Sequence, residues 1–466
     1  MILALAAALA IVVQDHTPLR SAAQSGATEL TTLWQGDVLE VRGERAGYLQ
    51  VYNYRRERAG YLRSEAVRPL GLTPGDAPEL LAVLRFLRDS RGSEALGISY
   101  GAAYIKAVPA QALTAEPLEA MARMAERLAD SASGSGDPAV DVGAHLDVVA
   151  QLGIHMRSFE RNGRMQVCYD GELFHRVLML PRASPEERAL AALSLTRPDC
   201  IDPALVPAPR AALDLERGAA LDGIAERELT PLTRSRLHAR RAAVWASIAF
   251  AQAHHGGPAT AAGQRALTEL LSVHPSELGE DRKVEYTDAI VRVSASRWAS
   301  AIAARQPQSL TLSAAPGDAG QTCVSLRSPR VSAGALTQRC SYGVPWLASA
   351  QVIAQGQAVV LAVQPLEGWR ELWIFHKKAG AWIVEVVPPG INDPELGYIE
   401  YAGYVPATRR LLVALEVKER GHFRRTFEEL RLDDLVTIRQ ASSPDLLRDF
   451  GRWQDANWRR ETLALH

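Results

Sequence analysis

Apolar and polar residues alternate with a period of two over residues 12–70, which is the pattern of half-buried β-strands. Short turns that contain glycine separate the apolar runs, first at Gln35–Asp37 and then at Gly43–Gly47. About sixty residues can build one small barrel and little more. The pattern therefore predicts a small twisted β-barrel, whose apolar positions are Val38, Leu39, Val41, Tyr48, Leu49, Val51, Tyr61, Leu62 and Val67.

From Thr73 to Ala304 the apolar positions recur about every 3.6 residues, which predicts helices. Helix start signals include Ser184, Pro185 and Glu187, where the serine and the glutamate can form a capping box. We see no fixed repeat in the sequence, so we expect an irregular, all-α helical array over residues 73–304. Residues 305–322 are rich in proline, glycine, serine and alanine and are predicted to be a linker.

Residues 323–466 return to short apolar runs that polar turns separate. Two blocks look alike, because the runs Val359–Gln364 and Leu411–Val417 each follow a short strand and a polar turn. This arrangement is typical of propeller blades and meander sheets, although the region is too short for a closed propeller. We expect a mainly antiparallel β domain, either a sandwich or a blade-like meander, with a final helix that begins at Pro444 and covers the sheet. The whole chain is thus predicted to be a multidomain α and β protein.

Four short motifs lie at the predicted strand ends of the N-terminal segment. They are Leu19–Arg20, Leu33–Gly36, Gly47–Val51 and Gly60–Leu62, of which the last two are glycine-aromatic strand starts. On these motifs, residues 11–70 resemble the bacterial SH3 (SH3b) domain, although the family more often has tryptophan at the position of Tyr48. The resemblance implies an SH3-like barrel that serves as an adaptor or cell-wall-binding module in bacterial envelope proteins, and not as a catalyst.

An arm rich in tyrosine and arginine joins the last two strands of the predicted barrel. Alternation can bury only about half of its side chains, so the rest must face solvent. Exposed tyrosine offers contact area at low entropic cost, and arginine binds carboxylates such as those of peptidoglycan stem peptides. We predict a binding surface there, the alternative being that Glu57 and Arg58 merely solvate a hairpin tip. Its candidate residues are Trp34, Tyr52, Tyr54, Arg55, Arg56 and Arg58.

The first ten residues, MILALAAALA, are wholly apolar and end in Ala8-Leu9-Ala10, which fits the small-x-small rule for signal peptidase. No lysine or arginine precedes Arg20, so the positive region of a signal peptide is missing. The apolar stretch is also too short to span a bilayer. We expect residues 1–10 to be a signal peptide whose true start lies upstream; the alternative is a buried first strand or a disordered start.

Charge and cysteine content narrow the class of protein. The formal net charge is −1, so there is no global electrostatic reason to expect nucleic acid or an anionic membrane as a partner. The four cysteines form two local pairs, Cys168 with Cys200 and Cys323 with Cys340, at spacings that match neither zinc sites nor redox motifs. In an exported, periplasmic protein each pair is expected to form a disulfide. The alternative is four buried thiols.

Sequence motifs for catalysis are weak. The string Gly97–Gly101 matches the GxSxG nucleophile elbow, but a turn precedes it where the elbow needs a strand, so we expect Ser99 to lie on a helix without a catalytic histidine. No metal-binding histidine motif and no cofactor motif is present in the sequence. The acidic pairs at 428–429 and 433–434, with arginine pairs around them, are expected to solvate edge strands.

Two functions from different classes remain open. The first is a non-enzymatic envelope protein that binds peptidoglycan or a protein partner through its barrel. The second is a cell-envelope hydrolase whose active site lies in the β-rich region and uses no recognisable motif. A polar, water-excluded cleft with convergent titratable groups in residues 323–440 would favour the second.

Overall fold

The computed structural model describes residues 8–134, 140–279, 283–301, 310–318, 320–329, 334–390 and 396–463. Its contacts divide the chain into two compact units, Met1–Leu205 and Val206–His466. The boundary falls inside the region 73–304, so the helices of that region belong to both units. In outline the chain has a β-rich N-terminal region, a central helical region and a β-rich C-terminal region with helices at its end, as the sequence pattern predicts.

Seven strands of the first unit form one sheet, in the order β3-β2-β6-β5-β4-β1-β7. The inward positions of these strands contribute to one apolar core, which includes Ala10, Val12, Leu19, Val51 and Leu62. Because successive side chains of a strand point to opposite faces, Ile11 and Leu70 join a second apolar core, with residues of the helices that follow. The strands are β1 Ala8–Val12, β2 Thr17–Arg20, β3 Glu29–Leu33, β4 Val38–Arg45, β5 Tyr48–Asn53, β6 Arg58–Arg63 and β7 Val67–Leu70.

The first of these strands bears on the interpretation of the chain start. β1 lies between β4 and β7, with Ala10 opposite Leu39 on one side and opposite Pro69 on the other. Ala10 is buried. Residues 8–10 thus have the geometry of a buried first strand, which is one of the two interpretations of residues 1–10, while residues 1–7 lie outside the described residues.

Six helices and a β-hairpin complete the first unit. Ser184 and Glu187 form the predicted capping box at the start of α6. The prediction of an all-α region is wrong at residues 156–169, which form the hairpin β8–β9. Its turn has Asn162 and Gly163 at positive φ, the conformation that favours Asn-Gly in two-residue hairpins. The elements are α1 Ala77–Leu87, α2 Glu94–Ala107, α3 Ala115–Ala132, α4 Val140–Ala150, β8 Met156–Arg161, β9 Arg164–Tyr169, α5 Glu172–Met179 and α6 Pro185–Leu195.

Both predicted disulfides are present. Cys168 on β9 joins Cys200, which ends the short 3₁₀ turn after α6, with 5.7 Å between the Cα atoms. This bridge closes the α5–α6 helical hairpin at its open end. Cys323 joins Cys340 with 3.9 Å between the Cα atoms. The expectation of two local bridges is therefore confirmed, and the alternative of four free thiols does not hold.

The described part of the second unit begins with four helices, of which the last three share an alanine-rich core. α8 starts directly after its N-cap, Thr230, whose side-chain oxygen accepts a hydrogen bond from the backbone of Thr233. It ends before Gly256, which has positive φ, as the sequence pattern predicts. These helices are α7 Pro207–Asp222, α8 Pro231–His254, α9 Thr260–Leu271 and α10 Lys283–Ser296.

A small antiparallel sheet follows and corrects the predicted linker. Residues 311–316 form a strand, because Leu310 and Leu312 are buried against Val324 and Leu326 although the local composition is that of a linker. Residues 302–309 lie outside the described residues. The second disulfide crosses this sheet between directly opposed residues of adjacent strands. The strands are β10 Thr311–Pro316, β11 Thr322–Arg327 and β12 Thr337–Ser341.

The remaining strands form one nine-stranded sheet made of two antiparallel meanders. The first meander is β15–β17 and the second is β18–β21, and a short parallel pairing of β16 with β18 joins them. This is the blade-like meander form of the predicted β domain. The strands are β13 Val344–Pro345, β14 Gln351–Ile353, β15 Ala358–Leu366, β16 Trp369–Lys378, β17 Ala381–Val387, β18 Gly397–Val405, β19 Arg410–Glu419, β20 His422–Arg431 and β21 Thr437–Ala441.

The unbroken apolar runs of β15 and β19 follow from burial on both faces. On β19, Leu411 and Val413 belong to the core between the meanders, whereas Leu412 and Ala414 belong to a second core under the terminal helices. A strand covered on both sides needs no polar face, so its sequence does not alternate. The predicted final helix is two short helices, α11 Arg448–Trp453 and α12 Ala456–Leu463, after a 3₁₀ turn at Pro444–Leu446.

The helices of the described ranges were compared with the length and apolarity that a bilayer requires. None of them is both long enough and apolar enough to span a membrane.

Candidate functional site

Four side chains on the outer face of the N-terminal sheet form a compact exposed cluster, which we call the tyrosine surface: Glu40, Arg42, Tyr52 and Tyr54. Tyr54 is 65% exposed, and its hydroxyl donates a hydrogen bond to Glu40 Oε2 at 2.8 Å. The ring of Tyr52 meets that of Tyr54 edge to face, with 4.9 Å between the ring centroids. The Arg42 guanidinium lies over the Tyr52 ring at 4.2 Å.

Strand register explains why these residues meet. Glu40 on β4 is directly opposite Tyr52 on β5, and the register shifts between Val41 and Gly43, so Arg42 lies at an irregularity of the pairing beside Glu40 and Tyr52. Arg42 donates from Nε and Nη2 to Glu40 Oε2 at 3.2 and 2.9 Å. The hydrogen bonds from Arg42 and Tyr54 hold the pKa of Glu40 below its usual value, and the bond to Glu40 raises the pKa of Tyr54. The aromatic rings are therefore fixed in position while they remain exposed.

The arginines of the predicted arm point elsewhere. Arg55 pairs with Asp147 of α4 at 3.1 Å and lies 3.9 Å from Asp37. Arg56 donates to the Thr31 hydroxyl, and Arg58 donates to the Leu30 carbonyl at 3.1 Å. The structure thus brings Tyr52 and Tyr54 together but uses the three arginines to tie the arm to β3 and α4.

Trp34 is buried and lies away from the tyrosine surface. Its ring packs against the rings of His16 and His145, with centroid distances of 4.4 and 6.1 Å. His145 in turn contacts Asp15 Oδ1 at 2.8 Å, and Asp37 Oδ2 accepts the Trp34 backbone N–H at 3.0 Å. Burial raises the pKa of Asp37, although that hydrogen bond and the nearby Arg56 and Arg55 oppose the shift. Trp34 is therefore part of the packing between the sheet and α4.

Sequence reasoning missed Glu40 and Arg42. The available signal was their spacing of two residues on a strand next to one rich in tyrosine. Alternation alone would place both on one face of β4, but only the pairing shows the shift at Arg42 and the position of Glu40 opposite Tyr52. The β4–β5 turn at Ala46–Gly47, where both residues have positive φ, sets that register.

Ser99 lies on α2, as expected, and has no histidine within hydrogen-bonding distance. Its hydroxyl is within 2.9 Å of the carbonyls of Ala95 and Gly36, to either of which it can donate. Gly36 has positive φ, and a Cβ atom there would approach the Ala95 carbonyl to 2.8 Å. The serine thus belongs to a close approach between a turn and a helix, and the prediction that it lies on a helix is confirmed.

Histidine and carboxylate side chains were examined for metal-ligand sets. Across the described ranges, no group of three or more histidine, cysteine, aspartate or glutamate residues is arranged to hold a metal ion. At the end of α8, His255 Nδ1 contacts the Ala251 carbonyl at 2.7 Å, which is the expected interaction of a histidine with free carbonyls at a helix C-terminus.

A buried region of the C-terminal β domain does collect titratable groups. Arg370 is fully buried, and its Nη2 donates to Glu400 Oε1 at 2.9 Å. Glu400 Oε2 accepts from Trp458 Nε1 at 3.0 Å, and Arg297 lies 3.3 Å from Oε1. The adjoining cavity has a volume of about 20 Å³, which is room for about one water molecule. A cavity of this size does not favour the hydrolase alternative.

The acidic pairs of the β domain differ from their predicted role. Glu429 is fully buried and pairs with Arg410 Nη1 at 2.9 Å. The expectation that it solvates an edge strand is wrong, because β21 pairs with β20 and removes β20 from the edge of the sheet. Asp433 and Asp434 are exposed, in keeping with the expectation for that pair.

Glu119 on α3 has a carboxyl group whose pKa is strongly raised. Burial raises its pKa to about 7, opposed by Arg123 at 4.0 Å and reinforced by Glu187 and Glu116. Its Oε1 atom is buried without a hydrogen-bond partner among the described residues. The native state therefore favours the neutral acid.

Replacing Glu119 with glutamine is expected to stabilise the protein at pH 8 by on the order of 2 kcal/mol. The pKa of Glu119 is raised on folding, so the native state binds more protons than the unfolded state between about pH 4.5 and 7. The wild type therefore loses stability as the pH rises through this window, whereas the glutamine variant should not. Urea unfolding at pH 4 and pH 8 measures the difference.

Glu116→Gln on the same helix is the matched control for this experiment. Its carboxylate accepts two hydrogen bonds from Arg85 at 2.6 Å, which lower its pKa, so its replacement should not stabilise the protein at pH 8. Equal effects of Glu119→Gln at the two pH values would contradict the raised pKa.

The tyrosine surface is the place where exposed aromatic and charged side chains of the N-terminal sheet lie together. Contacts within β4, β5 and the following turn hold all four of its side chains. Comparison with protein-family models, with curated proteins and with solved structures gives no match to this chain.

Proposed function

We propose that residues 8–70 form a bacterial SH3-like barrel. The proposal is supported by the sheet of seven short, mostly antiparallel strands, whose inner positions all meet in one small core. It is also supported by Gly47-Tyr48, which lies at the beginning of β5 as the resemblance implies, whereas Gly60-Tyr61 lies within β6 and does not start it.

We further propose that the chain is a non-enzymatic binding protein that uses the tyrosine surface. The observation that carries this proposal is the exposure of Tyr54, which remains 65% accessible although its ring and hydroxyl are both held by neighbours. A fixed, exposed aromatic ring buries contact area on binding without losing much conformational freedom. Clusters of tyrosine and arginine are also the side chains that most often dominate binding energy at interfaces.

The proposed ligand is the peptide stem of peptidoglycan, with an envelope protein as the alternative. Stem peptides carry carboxylates, to which Nη1 of Arg42 beside the tyrosines can donate while Nε and Nη2 remain bonded to Glu40. The two disulfides are compatible with an oxidising compartment outside the cytoplasm, where such ligands occur. In this proposal the helical and β-rich regions act as a scaffold for further interactions.

Retention of the purified protein on insoluble peptidoglycan tests the proposal. Tyr54→Ala combined with Arg42→Ala is expected to lower retention about tenfold or more, because it removes the exposed ring and the cation beside it. Tyr342→Ala is the matched control, since Tyr342 is 61% exposed but lies in the second unit. Equal retention of the wild type and the double variant, both folded by circular dichroism, would exclude the tyrosine surface as the peptidoglycan-binding site.

A further inference from the structure

A surface pocket of about 330 Å³ lies in the second unit, at the end of the sheet where the β18–β19 and β20–β21 connections meet. Its walls include Arg409, Arg410 and Arg431, against one acidic residue, Asp433. The lining thus holds three arginines and one aspartate, and three further carboxylates pair with two of the arginines: Glu429 and Asp449 with Arg410, and Asp434 with Arg431. The volume is within the range of sites for small molecules.

The backbone places two of these arginines in an unfavourable arrangement. Arg410 on β19 is directly opposite Arg431 on β20, so both side chains leave the same face of the sheet. Like charges at directly opposed positions of an antiparallel pair destabilise the sheet. The carboxylates of Glu429, Asp449 and Asp434 offset part of this repulsion, and a bound anion between the two guanidinium groups would offset it further.

The hydrogen bonds of these arginines leave the donors that recognise oxyanions free. Arg410 uses Nη1 to contact Glu429 at 2.9 Å and Asp449 at 3.4 Å, and Arg431 uses Nη1 to contact Asp434 at 2.6 Å. Within the part of the chain that the structure describes, Nε and Nη2 of both side chains make no hydrogen bond. These two atoms form the edge of a guanidinium that grips a carboxylate or a phosphate with two parallel hydrogen bonds.

The third arginine has a different part in the pocket. Arg409 donates from Nε and Nη2 to Asp433 at 3.3 and 3.0 Å and from Nη1 to Gln357 at 2.8 Å. It closes the β18–β19 connection at positive φ and holds Asp433 in the wall, where the pair neutralises that carboxylate. The free donors of the pocket are therefore those of Arg410 and Arg431.

We propose that this pocket binds a small oxyanion, a phosphate group or a carboxylate, held by Arg410 and Arg431 through their Nε and Nη2 atoms. The ion pair with the buried Glu429 holds the Arg410 guanidinium in place, so its remaining donors have a defined position. Arg431, on the neighbouring strand, is half exposed and supplies the second pair of hydrogen-bond donors. The site is independent of the tyrosine surface and lies in the other unit of the chain.

Isothermal titration calorimetry of the full-length protein tests this, with sodium phosphate in one arm and sodium succinate in the other, at constant ionic strength. We expect binding of at least one of the two anions with a Kd of about 1 mM. Binding of phosphate alone assigns the site to a phosphoryl group, and binding of succinate alone or of both assigns it to carboxylates or to oxyanions in general.

Arg431→Gln is the informative variant, because its exposed side chain can be replaced without uncovering a buried charge. It should weaken anion binding about tenfold or more, whereas Arg439→Gln, on the exposed part of β21 outside the pocket lining, should leave it unchanged. Absence of binding for both anions, or equal affinity of the wild type and Arg431→Gln, would overturn the proposal.

Discussion

Replacing Glu400 with glutamine is expected to lower the free energy of unfolding by about 3–5 kcal/mol. The substitution keeps the size of the side chain but removes the negative charge that faces Arg370 and Arg297. Arg370 is fully buried, so its guanidinium would face a neutral amide in a site with room for about one water molecule. A buried charge without a counter-ion is among the most costly defects that one substitution can produce.

The position of Glu400 in the fold adds to the expected effect. Arg370 belongs to the short parallel pairing that joins the two meanders, and it also donates to the Ser294 carbonyl of α10. The other carboxylate oxygen of Glu400 accepts a hydrogen bond from Nε1 of Trp458 on α12. One ion pair therefore joins both meanders, a helix of the preceding array and the terminal helix.

Chemical denaturation of the full-length protein measures this effect, and Glu419→Gln is the matched control. Glu419 also pairs with an arginine on the next strand, Arg424 at 3.5 Å, but that pair is exposed, so its loss should change stability by less than about 0.5 kcal/mol. Arg370→Met combined with Glu400→Gln should recover part of the loss, because both buried charges are then removed. A loss no larger than that of the control would contradict the role assigned to Glu400.

The same ion pair predicts a loss of stability at low pH. Burial alone would raise the pKa of Glu400, but Arg297 and Arg370 outweigh it and hold the pKa below its usual value. A carboxyl whose pKa is lowered on folding stabilises the protein above its unfolded pKa and ceases to do so as the pH falls through its folded pKa. Glu400→Gln should therefore lose less stability on acidification than the wild type.

The order of structural classes along the chain follows from hydrophobic periodicity. Alternation at Leu39, Val41 and Val51 and the 3.6-residue spacing of the helices are local properties, and each residue contributes to them independently of the rest of the fold. The hairpin β8–β9 carried an equally local signal in Asn162-Gly163, but its flanking residues are mostly exposed and do not alternate clearly. The strand β10 depends on Leu310 and Leu312 alone, which the surrounding alanine, serine and proline conceal.

The candidate sites were less predictable because they depend on register and on distant segments. Trp34 is covered by His145, more than one hundred residues further along the chain, so its burial has no local signal. Glu40 and Tyr52 meet only because β4 and β5 pair in one register out of several. The opposition of Arg410 and Arg431 arises in the same way. Sequence reasoning thus identified the tyrosines but could not identify their partners.

Removal of the Cys168–Cys200 disulfide by a double substitution to alanine is expected to destabilise the protein by about 3.7 kcal/mol, from the entropy of closing a loop of 32 residues. The second bridge closes a loop of 17 residues, and its removal should cost about 3.1 kcal/mol. Cys168 is also buried, so the first substitution leaves a small cavity as well.

Reduction and alkylation provide the control for these two variants. A reductant should lower the stability of the wild type by less than both double substitutions together, because it leaves no cavity at Cys168, and it should leave a protein without cysteines unaffected. The mass of the intact protein after alkylation without reductant should show no added label, because all four sulfur atoms are paired. Four labels on the untreated protein would contradict both bridges, and with them the support that the disulfides lend to an exported location.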